Sequence, residues 1–302
     1  MTANAGTRWQ DVGEKGSALG ISLLFRLGTM FGRRIPGLIL PLVAAWYVVL
    51  HPSVRRASQA YLLRLQRRAR FRDVYHHVHC FARVVLDRLF MVRGDLRPFR
   101  ITFDGQEHLE SLRATGRGAV LIVSHLGSFE VLRAMSRERA FQVSILGYFG
   151  NASLINAALR RVNPEVDTHL IEIRPGDASF VFEVERCISE GGLVGTMGDR
   201  VGFDGKHARA RFLGSDASFP TGPYLLAAAL GCPVYLAFGL YGEPNRYELH
   251  CEPFADRIEL PRDSRTEALQ AYVRRYAARL EHHCRLAPYN WFNFYDFWSP
   301  PR

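Results

Sequence analysis

The chain has little lysine, no C-x-x-C pair, no G-x-S-x-G and no unbroken apolar run of membrane-spanning length. Each absence closes a door. Its 39 Lys+Arg outnumber 29 Asp+Glu for a net charge of +10, and nearly all of that positive charge is arginine. Arginine meets phosphate and carboxylate in a bidentate fork, so the balance points to an anionic partner: phospholipid headgroups, an acidic carrier protein or nucleic acid. No RNP, zinc-finger or helix-turn-helix signature accompanies it, which argues against nucleic acid. The five cysteines, Cys80, Cys187, Cys232, Cys251 and Cys284, are scattered and odd in number. That pattern fits unpaired thiols in a reducing compartment, as for a domain that faces the cytoplasm. Without a nucleophile elbow, a serine hydrolase has no support.

No secretory signal is read at the N-terminus. The candidate apolar core "LGISLLF" follows both Glu14 and Lys15, and no small-residue cleavage site comes after it. Apolar content continues in "IPGLILPLVAAWYVVL", Ile35 to Leu50, between Arg33/Arg34 and Arg55/Arg56. A spanning helix needs about 20 residues, and Pro36 and Pro41 interrupt this one. With Trp46 and Tyr47 near one end, the segment reads as a membrane anchor that spans a thin bilayer or lies in its interface. A buried helical hairpin is the alternative.

Residues 53–92 read as helix, with apolar positions at three- and four-residue spacing and an arginine-rich opposite face. From Ile101 the texture changes. Short apolar runs ("GAVLIVSH", "FQVSILGYF", "THLIEI", "GLVGTM", "PVYLAFGLY", "RYELHCEPF") are interleaved with helical patterns. That alternation predicts an α/β fold, a mixed sheet flanked by helices. No internal repeat or low-complexity stretch appears. The expected organisation is a membrane-anchoring segment over 1–52, a basic helical lead-in over 53–98 and an α/β domain over 99–302.

The informative stretch is "VLIVSHLGSFE", Val120 to Glu130. A strand ends on His125, and carboxyl ends of strands are where α/β sheets place their sites. Glu130 falls in the first turn of the next helix. Residues five apart on one continuous helix point about 140° apart. If His125 lies in the turn before the helix, Glu130 can reach back to one ring nitrogen, fix the tautomer and leave the other nitrogen to take a proton from a hydroxyl. A loop histidine and a glutamate favoured by the helix dipole form the plain structural alternative. Asp199 and Arg200 follow the strand "GLVGTM", again at a carboxyl end.

On these residues the chain resembles the bacterial lipid A biosynthesis late acyltransferases, within the lysophospholipid acyltransferase superfamily. H-x-x-x-x-[D/E] is that superfamily's signature. The likeness extends to the apolar segment before a basic helix, "SLINAALRRVNP", the long block from "GGLVGTMGDR" to "GCPV", and "APYNWF". The resemblance implies a glycerolipid-acyltransferase-like α/β fold with an N-terminal membrane-associated segment, at the cytoplasmic face of a bacterial inner membrane. It implies transfer of a fatty acyl group from an acyl carrier protein or coenzyme A thioester to a hydroxyl or amine of a membrane lipid, with no cofactor and no metal. His125 is then the general base, Glu130 orients it, and Arg160 steadies the oxyanion or a phosphate. Arg161, Asp199, Arg200, Gly214 and Thr221 are expected to bind substrate. Two departures stand out. Arg200 replaces an uncharged polar residue, and "NWFNFYD" has Asn293 where the family has histidine and Tyr295-Asp296 where it has a basic pair. With these departures, the resemblance implies an acceptor that is lipid A-like or a polyene or amino lipid.

Other constellations carry less. "YHHVHC" and "EHHC" have no second ligand pair to close a zinc site. The aromatic cluster Trp291 to Trp298 lacks the basic interleaving of a base-stacking surface and reads as packed tail or acyl-chain wall. A non-catalytic lipid-binding protein of the same fold predicts loss of the His-acid pair, which is intact. A lipid thioesterase or hydrolase, with water as acceptor, uses the same residues.

Overall fold

The computed structural model of the protein describes residues 18–138, 142–148, 169–174, 176–202 and 205–299. Four helices come first: α1 (Ala18–Phe31), α2 (Arg34–Leu50), α3 (Pro52–Gln66) and α4 (Phe71–Val92). The expected single helix over 53–92 is thus two. Arg67 takes the left-handed conformation (φ 58°) and ends α3, and Asp73 accepts from the backbone N–H of Arg70 at 2.8 Å to start α4. No glycine or proline marks this break.

The sheet follows: β1 (Arg100–Asp104), β2 (Ala119–Val123), β3 (Val143–Gly147), β4 (Leu170–Glu172), β5 (Leu193–Met197), β8 (Val234–Gly242) and β9 (Arg246–Ala255). Their order is β1-β9-β8-β2-β5-β3-β4. Five neighbours, β8, β2, β5, β3 and β4, are parallel, while β9 pairs antiparallel with β8 and β1 runs with β9. The connecting helices are α5 (Gln106–Ala114), α6 (Phe129–Glu138), α7 (Phe180–Ser189), α8 (Gly222–Leu230) and α9 (Arg265–Leu286). A two-stranded hairpin, β6 (His207–Phe212) and β7 (Ser215–Pro220), turns at Leu213-Gly214, both with positive φ. The predicted α/β architecture is the observed one.

Strand β2 explains how the layers are built. All five of its residues are buried, as expected of a central parallel strand covered on both faces. Ala119, Leu121 and Val123 join the core under α4 and α6, with Leu86, Leu89, Val131 and Tyr247. Val120 and Ile122 join the opposite core, with Tyr61 of α3, Phe219 of the hairpin, Tyr276 and Leu280 of α9, and Trp291.

Helix α2 is apolar all round. Leu40, Ala44 and Val48 are buried on one face, while Leu38, Leu42, Trp46 and Val49 are each more than half exposed on another. Among the described residues no single helix is long and apolar enough to cross a membrane. The α2–α3 pair together would be, by length and composition, but it bends by 97°.

Candidate active site

The register of the central strands sets the site. Val123 at the end of β2 lies opposite Met197 at the end of β5. Two residues further along each chain stand His125 and Asp199, so adjacent parallel strands deliver them side by side. His125 Nδ1 lies 2.8 Å from Asp199 Oδ1, and the His125 backbone N–H donates to Asp199 Oδ2 at 3.0 Å.

The turn that carries His125 is held tightly. Gly127 has φ 65°, and a Cβ there would sit 1.9 Å from the carbonyl oxygen of Gly239. Only glycine fits both constraints. The N–H of Ser128 donates to that carbonyl at 2.7 Å. From the other side the C-terminal segment clamps the turn: Gly127 N–H donates to Asn290 O at 2.8 Å, and Phe292 N–H to His125 O at 2.8 Å. Beneath it, Tyr276 Oη donates to Val123 O at 3.0 Å.

Asp199 is wholly buried. Its Oδ2 also accepts from Trp291 Nε1 at 3.0 Å and Asn293 Nδ2 at 2.9 Å. Burial alone would push this carboxyl up. The neighbouring His125, Arg200 and the hydrogen bonds from His125 outweigh it and hold the group at about 2. The imidazole is pushed below its ordinary range, first by burial and then by the Arg200 charge, against the pull of Asp199. A neutral ring whose Nδ1–H is taken by a carboxylate carries its lone pair on Nε2. That nitrogen has no hydrogen-bond partner among the described residues, and the side chain is 25 % exposed. The arrangement is that of a proton acceptor open to a ligand.

The partner of the imidazole is therefore Asp199 rather than the expected Glu130. His125 does precede α6, which begins at Phe129, so the turn geometry needed for a return contact exists. Glu130 points elsewhere, to Arg88 Nη2 of α4 at 2.7 Å and Arg133 Nη1 at 3.8 Å. A guanidinium is a stronger partner for a carboxylate than a neutral imidazole.

The profile of the bacterial lipid A biosynthesis acyltransferase family matches residues 90–299, more than two thirds of the chain. The chain belongs to that family. A search of curated proteins finds no match. Membership makes this an acyltransferase fold that serves lipid biosynthesis, and it places His125, Asp199 and the Trp291–Asn293 segment inside the matched region.

The remaining expected site residues of this family member divide. Arg200 lies beside the pair, with Nε 2.7 Å from Asn293 Oδ1 and Nη2 3.1 Å from Phe292 O. Gly214 is exposed at the tip of the β6–β7 turn, where its φ of 81° gives the backbone its own reason for glycine. Thr221 is buried at the N-terminus of α8. Arg160 and Arg161 lie outside the described residues. Sequence reasoning missed Trp291 and Asn293 as partners of Asp199, and Arg88 as the partner of Glu130. The quoted "APYNWF" and "NWFNFYD" were the available signals for the first of these. The aromatic tail is packed: Trp291 is fully buried against Tyr61, Phe212 and Phe297. Among the described residues no group of three or more potential ligands forms a metal site.

Proposed function

We propose that this protein transfers a fatty acyl group from an acyl thioester, on acyl carrier protein or coenzyme A, to a hydroxyl or amine of a membrane lipid. The observation that carries this reading is the 2.8 Å contact of His125 Nδ1 with a buried, ionised Asp199, which leaves Nε2 open. In the proposed step His125 Nε2 takes the proton of the acceptor. The acceptor oxygen or nitrogen attacks the thioester carbonyl, the tetrahedral intermediate collapses, and the carrier leaves as its thiol with the proton returned by His125. Asp199 stabilises the imidazolium formed in between. Arg160 is proposed for the oxyanion, and Arg161, Gly214 and Thr221 for substrate contacts.

The exposed apolar face of α2, with Leu38, Leu42, Trp46 and Val49, supports seating on a bilayer, and we assign it to the cytoplasmic face of the inner membrane. The lipid acceptor then need not leave the membrane to reach the site. Purified protein, a radiolabelled palmitoyl thioester of carrier protein or coenzyme A, and total bacterial membrane lipid test the chemistry. Label should enter the lipid fraction with wild type and fall by about 10²- to 10⁴-fold with His125→Ala. Transfer by a stably folded His125→Ala protein at the wild-type rate overturns the assignment. Vesicle flotation tests the seat: Leu42→Glu/Trp46→Glu should lose binding.

A further inference from the structure

Arg200 follows Asp199 directly in the chain and Asn293 comes from the C-terminal segment, and the two meet beside that carboxylate: Asn293 donates to it and Arg200 donates to Asn293. An amide reads the same in outline whichever way it is turned, so its orientation has to be argued from its neighbours. Here the neighbours decide it. A guanidinium only donates and a carboxylate only accepts. With Arg200 Nε 2.7 Å from one end of Asn293 and Asp199 Oδ2 2.9 Å from the other, Oδ1 must face arginine and Nδ2–H must face aspartate. Resting on the acyl-transfer reading, we propose that Arg200 and Asn293 are positioning residues of that reaction: the guanidinium locks the amide as a donor to Asp199, and the amide reserves Asp199 Oδ1 for the imidazole.

The accounting of the carboxylate supports this. Oδ2 receives three N–H groups, from the His125 backbone, Trp291 and Asn293. Oδ1 is left to His125 Nδ1. The other amino group of Arg200 holds Phe292 O, and Phe292 N–H holds His125 O. The contacts therefore close a ring, from His125 to Asp199, to Asn293, to Arg200, to Phe292 and back to His125. Tyr295 lies 5.7 Å from the guanidinium carbon and walls that side. Turning the amide over would set N–H against N–H and oxygen against oxygen, so the ring admits one orientation.

The ring also sets the charge around the base. His125 faces Asp199 and Arg200 from the end of β5 and Arg88 from α4. Arg88 is paired with Glu130 of α6, which Arg133 also approaches. Arg200 opposes protonation of His125, and removing it should let the imidazole titrate at higher pH.

The test uses full-length protein in detergent, with Arg200→Gln, Asn293→Ala and Asn293→Asp. Two readouts are taken: imidazole NMR of His125, and transfer from the palmitoyl thioester to membrane lipid. Arg200→Gln should raise the His125 titration midpoint and move the acidic limb of kcat/KM to higher pH. Asn293→Ala should lower kcat by about tenfold or more with KM nearly held, because the imidazole loses its fixed tautomer rather than a substrate contact. Asn293→Asp sets a second carboxylate against Asp199 and should be the most damaging of the three. If KM rises while kcat, the tautomer signal and the limb stay put, Arg200 and Asn293 bind substrate and the proposal fails. If melting temperature falls but folded enzyme keeps its kcat and its His125 titration, the ring is only structural and the proposal also fails. His125→Ala serves as reference. Full transfer by that variant sinks the acyl-transfer reading itself, while the NMR arm still reports whether Arg200 and Asn293 govern the ring.

Discussion

Asp199 and Asp87 are both wholly buried, and they are pushed in opposite directions. Asp87, on α4, is gripped by Arg33 at 2.6 and 2.9 Å and by Tyr247 Oη at 2.9 Å. Burial still wins there, and the carboxyl sits above its usual range. Asp199 is met by four N–H donors, two of them from His125, with the Arg200 charge adjacent, and it sits at about 2. Burial alone therefore does not set the charge state of a buried acid. The nature of the partners does. Asp87 joins the α1–α2 junction to the sheet, and both its partners are themselves structural. Asp199 ends on a ring whose far nitrogen is open.

The strongest way to break this contrast is to neutralise each acid in turn. Asp199→Asn should lower kcat by about 10²- to 10⁴-fold, since an amide cannot stabilise the imidazolium. Asp87→Asn should leave turnover of the folded enzyme close to wild type while the fold weakens. Removing one partner of a buried ion pair typically destabilises by about 3–5 kcal/mol. Melting temperature and initial rate, measured on both proteins, separate the two outcomes. An Asp87→Asn enzyme that melts normally and fails to turn over would erase the distinction. The joint change Arg33→Met/Asp87→Leu sharpens it. With no charge left unpaired, stability should recover toward wild type.

A gentler probe is pH. The imidazole of His125 titrates below the ordinary 6.5, so the acidic limb of kcat/KM should lie below 6.5. The sign for stability follows from the same direction. Between the folded and unfolded values the unfolded chain binds the extra proton, so this group's contribution is complete above 6.5 and shrinks as pH falls. Asp199 acts in a lower window: its contribution is present above 3.8 and is lost as pH falls toward about 2. A rate profile whose acidic limb lies above 6.5 would contradict the burial and the Arg200 charge.

These acids also show where sequence reading reaches its end. The alternation of apolar runs and helical patterns made the α/β architecture legible, because each period reflects one chain's local burial. The β6–β7 hairpin was not legible. "HARARF" and "SDASFP" are polar on their exposed face and carry no apolar run. The break at Arg67 was hidden because a left-handed arginine leaves no glycine or proline to announce it. His125 and Asp199 were each visible as residues beyond a strand's carboxyl end. Their pairing was not, since it depends on β2 lying next to β5 in register. Glu130, five residues away, was the partner that sequence distance favoured; Arg88 of α4, 42 residues distant, claims it instead.

The smallest expected effect tests that last point. Glu130→Gln keeps an oxygen for Arg88 and removes only the charge, at a side chain that is 12 % exposed. Loss of a charge-assisted hydrogen bond of this kind should destabilise by about 1–2 kcal/mol. Because Glu130 touches neither His125 nor Asp199 in the described geometry, kcat should fall by no more than about tenfold. The acidic limb should stay within a few tenths of a pH unit, roughly, since Glu130 acts on His125 only through the Arg88 pair. The decisive measurement is the ratio of the two losses, Glu130→Gln against Asp199→Asn, in one assay at matched folded concentration. If Asp199 alone fixes the imidazole, the aspartate variant is slower by an order of magnitude or more, roughly the gap between losing the carboxylate that stabilises the imidazolium and losing a strut. Equal losses would mean that the imidazole turns to Glu130 when substrate is bound, and would return the base's partner to the helix that follows it.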